Sequence, residues 1–437
     1  MKKIFILILS TTPLFSSNDI QLSVSGAQQS TMPITIVTLD KTNKELTHIA
    51  SIIAKDLQFT EQFTVTTKNI DAFLSKKELL KNIKDSSRQH GIPLALCINA
   101  PNKNTIEWRL YETMEGSMIT GKKYIKQGNK QRIWAHAIAD KVWQALTGNA
   151  GFFSSRITYC TEQKNTDGSL HHQICIADFD GSNPEVAIDA SNILVAPRWN
   201  TSSQKPSLYY SHYTKTNVQL LSCTFDTKKP GIKQTKIASN FDGVNMLPGF
   251  SADGKAIAYC ASRGGGNCQL YYCKKGSVKQ FTKNDGNNVS PVFIDNERIC
   301  FCSDVHTGNP QIYIGNLKTG HVQRITTGGY CTSPSYCSIN NTIAYHKMVD
   351  GFMQIYIYDL ATKTHTQITK SATNKHDASW SPDGTYLLFA QESNKNKDSR
   401  LVALNMLTKK PRLVTDTHKK CTYPHWSPIY KYFPILN

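Results

Sequence analysis

The sequence predicts a small N-terminal α/β domain followed by an all-β, six-bladed β-propeller closed by its C-terminal strand. Three observations predict it. First, a phrase made of a small anchor (usually Pro), a free position and an aromatic recurs six times: Pro197-Arg198-Trp199, Pro248-Gly249-Phe250, Pro291-Val292-Phe293, Pro334-Ser335-Tyr336, Ala378-Ser379-Trp380 and Pro424-His425-Trp426. Its aromatics stand 51, 43, 43, 44 and 46 residues apart, the period of a four-stranded propeller blade and too long for most helical-hairpin repeats. Second, the ends of the series are complementary. It begins at Arg156-Ile157-Thr158-Tyr159-Cys160, a second-strand phrase with no anchor before it, and ends at Pro424-His425-Trp426, an anchor phrase with no second strand after it. A ring closes if the C-terminal segment supplies the strand missing beside Arg156, which removes exposed sheet edges and sets the count at six. Third, residues before about position 150 alternate strand and helix patterns instead.

The elements follow in order. Residues 1–18 carry a leader pattern: Lys2 and Lys3, the apolar run Ile4 to Leu9, and small residues at Ser16-Ser17. Residues 19–150 form the α/β domain. Gln21 to Val24 and Ile34 to Val37 are short strands, and Leu46 to Leu57 places Ile49, Ile52, Ile53 and Leu57 at helical spacing. Ser75 with Glu78 caps a second helix running to about Gln89, closed by Gly91. Pro93 to Asn99 is an apolar strand, Thr105 to Glu115 puts Ile106, Trp108 and Leu110 on one face, and Met118 to Lys126 returns as its hairpin partner. A last helix, about Lys130 to Leu146, lines up Trp134, Ile138, Val142 and Leu146 before Gly148.

The propeller covers residues 154–430. After each phrase comes a tight turn such as Ala252-Asp253-Gly254 or Pro382-Asp383-Gly384. Then comes a short apolar strand (Ile257 to Cys260, Ile299 to Cys302, Ile343 to His346, Tyr386 to Ala390). A third strand starts at Gln269, Gln311, Gln354 or Leu401, and a fourth carries Val278 to Phe281, Val322 to Ile325 or His365 to Ile368. The first blades are more diverged, with Leu208 to Ser211 and Val218 to Ser222 in the second and third slots. The repeated aromatics pack between blades, and Pro limits pairing on its strand.

Composition narrows the function classes. The net charge is +18, but the longest basic runs are pairs such as Lys122-Lys123, Lys274-Lys275 and Lys419-Lys420. Nucleic-acid binders cluster their charge with interleaved aromatics, so nucleic acid is not an expected partner. The twelve cysteines show no paired zinc spacing. Cys160, Cys260, Cys300 and Cys302 are expected as buried packing thiols, with one or two bridges among loop cysteines such as Cys268, Cys331 or Cys421. No G-x-S-x-G elbow, H-E-x-x-H, Walker loop or G-x-G-x-x-G occurs. Asp178-Phe179-Asp180-Gly181 opens like a calcium loop, but Asn183 and Asp189 stand at its sixth and twelfth positions, and a strand turn fits better. Gly264-Gly265-Gly266 is a loop, with no helix after it to cradle phosphate. No catalytic residue, cofactor or metal ligand is expected.

The combination resembles the TolB family of the Tol-Pal system. In the propeller the resemblance rests on Ala378-Ser379-Trp380-Ser381-Pro382-Asp383-Gly384, Gln354-Ile355-Tyr356-Ile357-Tyr358-Asp359-Leu360 and Trp426-Ser427-Pro428. In the first domain it rests on Ile52-Ile53-Ala54-Lys55-Asp56-Leu57 and on Ala145-Leu146-Thr147-Gly148 leading into Arg156-Ile157. It implies a periplasmic, non-enzymatic protein, and the chain is expected to be a monomer, peripheral to the outer membrane through its partners. The implied partners are Pal, a peptidoglycan-associated outer-membrane lipoprotein held at the propeller mouth, and TolA, in support of outer-membrane integrity and cell division.

Residues just ahead of each anchor enter the innermost strand, where loops on a rigid frame carry binding. The expected mouth residues are Asn245, Met246, Asn288, Thr332, His376, Asp377 and Tyr423. Val244, Leu247 and Val289 are apolar there and depart from the family's more polar pattern. The alternative is an exported propeller enzyme acting on envelope glycan or peptide, which needs convergence of His346, His376 and Asp377.

Overall fold

The computed structural model describes residues 31–70, 76–125, 130–164, 166–201, 206–225, 232–393, 398–415 and 419–430. The leader, the expected strand Gln21 to Val24 and the cap at Ser75 lie outside the described residues. The chain order of the first domain is β1 (Met32–Thr38), α1 (Lys44–Phe59), β2 (Phe63–Asn69), α2 (Lys76–His90), β3 (Leu94–Asn102), β4 (Thr105–Glu112), β5 (Met118–Ile125) and α3 (Gln131–Thr147). One sheet runs β2-β1-β3-β4-β5, parallel through β3 and antiparallel beyond it.

Strand alternation sorts its side chains. Ile34, Ile36, Leu96, Ile98, Ile106, Trp108 and Leu110 pack under α1 and α3, whereas Val37, Ala95, Cys97 and Tyr111 pack under α2 with Leu79 and Ile83. Asn43 caps α1 by accepting from the Glu45 and Leu46 amides, and Gly148 ends α3 at φ 76. Sequence periodicity missed β2. Its FTVTTKN stretch is an edge strand whose side chains after Phe63 are mostly exposed, so it carries little apolar signal.

Six four-stranded sheets follow. Blade 1 joins Lys420–Trp426 to Arg156–Lys164, with Trp426 opposite Ile157, so the C-terminal strand closes the ring. The inner strands of blades 2 to 6 are Leu194–Trp199, Asn245–Phe250, Asn288–Phe293, Cys331–Cys337 and Lys375–Trp380. The phrase aromatics wedge between blades: all are buried except the half-buried Tyr336. The Trp380 indole donates to the Ser335 carbonyl of the neighbouring blade at 3.2 Å. Cysteines behave as small apolar residues; all twelve thiols are free. The expected loop bridges do not form. Cys331 and Cys421 lie inside inner strands, where each thiol donates to a carbonyl of its own loop.

The two domains share one core. Phe59 of α1 meets Phe152, Phe179 and Tyr386, and the Tyr386 hydroxyl donates to the Phe59 carbonyl at 2.9 Å. At its centre Asp178, which ends the third strand of blade 1, accepts from Arg132 at 2.6 Å and pairs with Arg156 at 2.7 Å. His136 of α3 bridges Asp178 (3.5 Å) and Asp56 of α1 (2.8 Å). Phe179-Asp180-Gly181 is therefore a strand turn, with Gly181 at φ 85. A Cβ on Gly181 would stand 2.0 Å from the Val414 carbonyl oxygen, so only glycine fits between blades 1 and 6 there.

Candidate functional site: an axial tunnel with an open mouth

Every inner strand breaks register at its anchor, so two residues bulge against one on the second strand. The residue before the anchor takes the left-handed region in all six: Ala196, Leu247, Ser290, Ser333, Asp377 and Tyr423, with φ between 51 and 56. Such bulges re-aim side chains. Here they place the two residues ahead of the anchor at the lumen in most inner strands.

In blades 3, 4 and 6 the side chain three residues before the anchor turns away from the lumen and staples its own loop, whereas Leu194 of blade 2 lines the mouth. Asn245 donates to the Val218 and Phe241 carbonyls at 2.9 and 2.7 Å, and Asn288 to that of Gly286 at 3.0 Å. Lys375, wholly buried, donates to the Ser371 and Thr373 carbonyls at 3.1 and 2.6 Å, and burial lowers its pKa to about 8. Two residues before the anchor stand Val195, Met246, Val289, Thr332, His376 and Thr422, all on the wall of a cavity of about 560 Å³ at the open mouth. The left-handed residues other than Ala196 line it too.

Of the seven expected mouth residues, Met246, Thr332, His376, Asp377 and Tyr423 meet at this cavity. Asn245 and Asn288 are a correction: both are buried and absent from the wall, because the position they occupy faces the loop. Val289 and Leu247 line the mouth, whereas Val244 does not.

Sequence reasoning left the middle position of the phrase free, and that position forms the waist of the tunnel. Arg198, Gly249, Val292, Ser335, Ser379 and His425 line a second cavity of about 340 Å³ beyond the waist, and Arg198 and Val292 border both. A Cβ on Gly249 would stand 2.1 Å from the Pro291 carbonyl oxygen. Ser379 Oγ accepts the Trp426 amide at 2.9 Å, and His425 Nδ1 accepts the Trp199 amide at 3.2 Å, so the waist also sews blades together. Comparing that middle residue across the six copies would have exposed one arginine among small neutral neighbours.

The lumen is two-sided. Blades 3 and 4 supply Met246, Leu247, Val289 and Val292; blades 6, 1 and 2 supply His376, Asp377, Tyr423 and Arg198. At the rim, carboxylates are paired: Glu392 with His376 at 3.2 Å and with Asn374 at 2.8 Å, Glu162 with Lys420 at 3.5 Å. Deeper, burial raises the Asp377 pKa against the pull of Arg198 and His376. Burial also lowers His425 well below the ordinary histidine value, assisted by Arg198, so it is neutral. His346 does not join a catalytic cluster. It is buried off the wall, and burial, reinforced by His376, lowers its pKa to about 3.

Fold and site together define a two-domain propeller protein with a six-bladed frame around an axial tunnel. The family model described as "TolB beta propeller domain" matches residues 143–430, and the chain belongs to that family. Among relatives, the Tol-Pal system protein TolB of Francisella tularensis subsp. mediasiatica (strain FSC147) is 25% identical over 315 residues, 70% of this chain and 61% of that protein. The chain thus spans about 61% of the length of the curated relatives it matches. The crystal structure of TolB from Acinetobacter baumannii superposes with a TM-score of 0.75 at 22% identity, covering 93% of this chain and 99% of that one. Hydrazine synthase of Kuenenia stuttgartiensis superposes with a TM-score of 0.51 at 14% identity, over 64% of this chain and 47% of that one. Propellers serve several functions, so these structures establish the fold.

Proposed function

We propose that this chain is a periplasmic, non-enzymatic docking protein of the Tol-Pal system. Its open mouth holds a Pal-like, peptidoglycan-associated outer-membrane lipoprotein, and it also engages a TolA-like partner, in support of outer-membrane integrity and cell division. One observation supports this reading most: a chain of the TolB family carries, on six inner strands bulged at the same place, a mouth whose lining differs in every blade. A repeated frame with a non-repeated lining is how a scaffold acquires a specific partner. The domain division at 19–150 and 154–430, with 1–18 as leader, belongs to the same proposal. In a pull-down from envelope extract, the tagged mature chain is expected to retain a Pal-like lipoprotein domain. Replacing Met246 and His376 together by alanine is expected to weaken retention by about tenfold or more. Retention of no envelope lipoprotein sinks the proposal.

A further inference from the structure

Arg198 is out of character with its surroundings. The other five waist positions are small or neutral: Gly249, Val292, Ser335, Ser379 and His425. A guanidinium has five N–H donors. Arg198 uses one, from Nη1 to the Pro197 carbonyl at 3.1 Å, and makes no ion pair among the described residues. It borders both cavities, so its remaining donors face the lumen from the floor of the mouth. Asp377 lies within electrostatic reach, on the same polar side. The rim carboxylates Glu162 and Glu392 are already paired with Lys420 and His376.

We propose that Arg198 makes the tunnel waist a receptor for a carboxylate, the acidic side chain of a partner-protein segment inserted through the open mouth. The guanidinium fork matches the two oxygens of a carboxylate. The apolar wall of blades 3 and 4 (Met246, Leu247, Val289, Val292) covers the aliphatic stem of the inserted segment. Desolvation inside the tunnel strengthens the charge-assisted hydrogen bonds. Asp377 is the internal competitor: its charge attracts Arg198 without pairing to it, and a better-placed carboxylate outcompetes it. Burial already disfavours its charged form. The proposal rests on reading the mouth as a docking face, and it names the group that face selects.

The test uses the full mature chain and small probes, so it does not depend on any partner. The Arg198 Nε resonance, assigned by its loss in Arg198→Lys, is followed by NMR while acetate is added at constant ionic strength. A capped Gly-Glu-Gly peptide and its Gly-Gln-Gly counterpart are then titrated in the same way. Acetate and the Glu peptide are expected to shift Arg198 saturably, and the Gln peptide not to. Arg198→Met is expected to abolish acetate binding. Asp377→Asn is expected to tighten it about tenfold, by removal of the competing charge. Four results each overturn the proposal: no saturable shift through about 100 mM acetate, equal binding by Arg198→Met, weaker binding by Asp377→Asn, or inorganic phosphate outcompeting acetate. Because the wild-type titration stands alone, misfolding of a variant does not rescue it. A failed lipoprotein pull-down beside a positive acetate titration sinks the docking proposal only; the converse sinks only this one.

Discussion

The residue before each anchor sits at positive φ in all six blades, a conformation that costs an ordinary L-residue about 1–2 kcal/mol. Leucine and tyrosine accept it at Leu247 and Tyr423, so the surrounding pairing over-determines it. The return on that strain is direction: the bulge turns two consecutive side chains toward the lumen. Ser333 tests this without touching the charged wall. Ser333→Gly is expected to stay within about 1 kcal/mol of wild type, because relief of strain offsets added chain entropy. Ser333→Val is expected to lose more than about 1 kcal/mol, since a β-branched residue tolerates positive φ least. Urea midpoints decide it; a valine variant as stable as serine would show that the backbone relaxes there. The bulge also explains why Asn245 and Asn288 were misplaced. A one-residue shift moves a side chain to the other face of a strand, and no feature of Asn245-Met246-Leu247 in isolation says where the shift occurs.

At the scale of strands, the glutamine that opens the third strand and a threonine after the fourth hold each of three blades together. Gln354 Nε2 donates to the Ser371 carbonyl at 2.7 Å, and its Oε1 accepts from Thr369 at 2.8 Å. Thr369 in turn accepts the Ile355 amide at 2.9 Å. Gln311 with Thr326 repeats the arrangement, and Gln269 spans the same loop beside Thr282. Gln354→Ala is therefore expected to destabilise by about 1–3 kcal/mol, the cost of leaving buried partners unsatisfied. The exposed Gln323→Ala is expected to change stability by less than about 0.5 kcal/mol. Denaturant unfolding of the two variants separates these outcomes; equal losses would refute the staple. The recurrence of Gln at that slot was legible in the sequence, but its role was not, because its partners lie some 15 residues downstream. Strand β2 was illegible for a simpler reason: its side chains pack too little to impose a pattern.

For the whole molecule, the ionic cluster of Asp56, His136, Asp178, Arg132 and Arg156 locks the α/β domain onto blade 1. Burial opposes the His136 charge, but Asp56 and Asp178 outweigh it and raise its pKa from 6.5 to about 10. Burial would likewise raise Asp178, yet His136, Arg156 and Arg132 bring it down to about 2. A raised histidine contributes stability that is full below its unfolded pKa of 6.5 and is lost as pH climbs toward about 10. Wild-type stability is thus expected to fall across that window, and His136→Gln is expected to lack the one-proton slope. At pH 7 the same variant is expected to lose about 3–5 kcal/mol, the cost of stranding buried partners. Chemical unfolding measured at a series of pH values checks both; identical slopes would mean that His136 is neutral in the fold.

The number of blades, the closing strand, the helices of the first domain and the aromatic wedges are all readable from the chain, because each leaves a periodic apolar signature along it. Five of the seven mouth residues that the sequence pointed to line the cavity. Which neighbour in each inner strand faces the lumen, which cysteines stay single, and that Arg198 stands at the waist with donors to spare emerge only once the chain is folded. Those outcomes depend on a backbone bulge and on interactions between residues far apart in sequence, such as the charge of Asp377 felt by Arg198 or the pairing of Asp56 with His136. A local pattern carries no record of what lies across a ring.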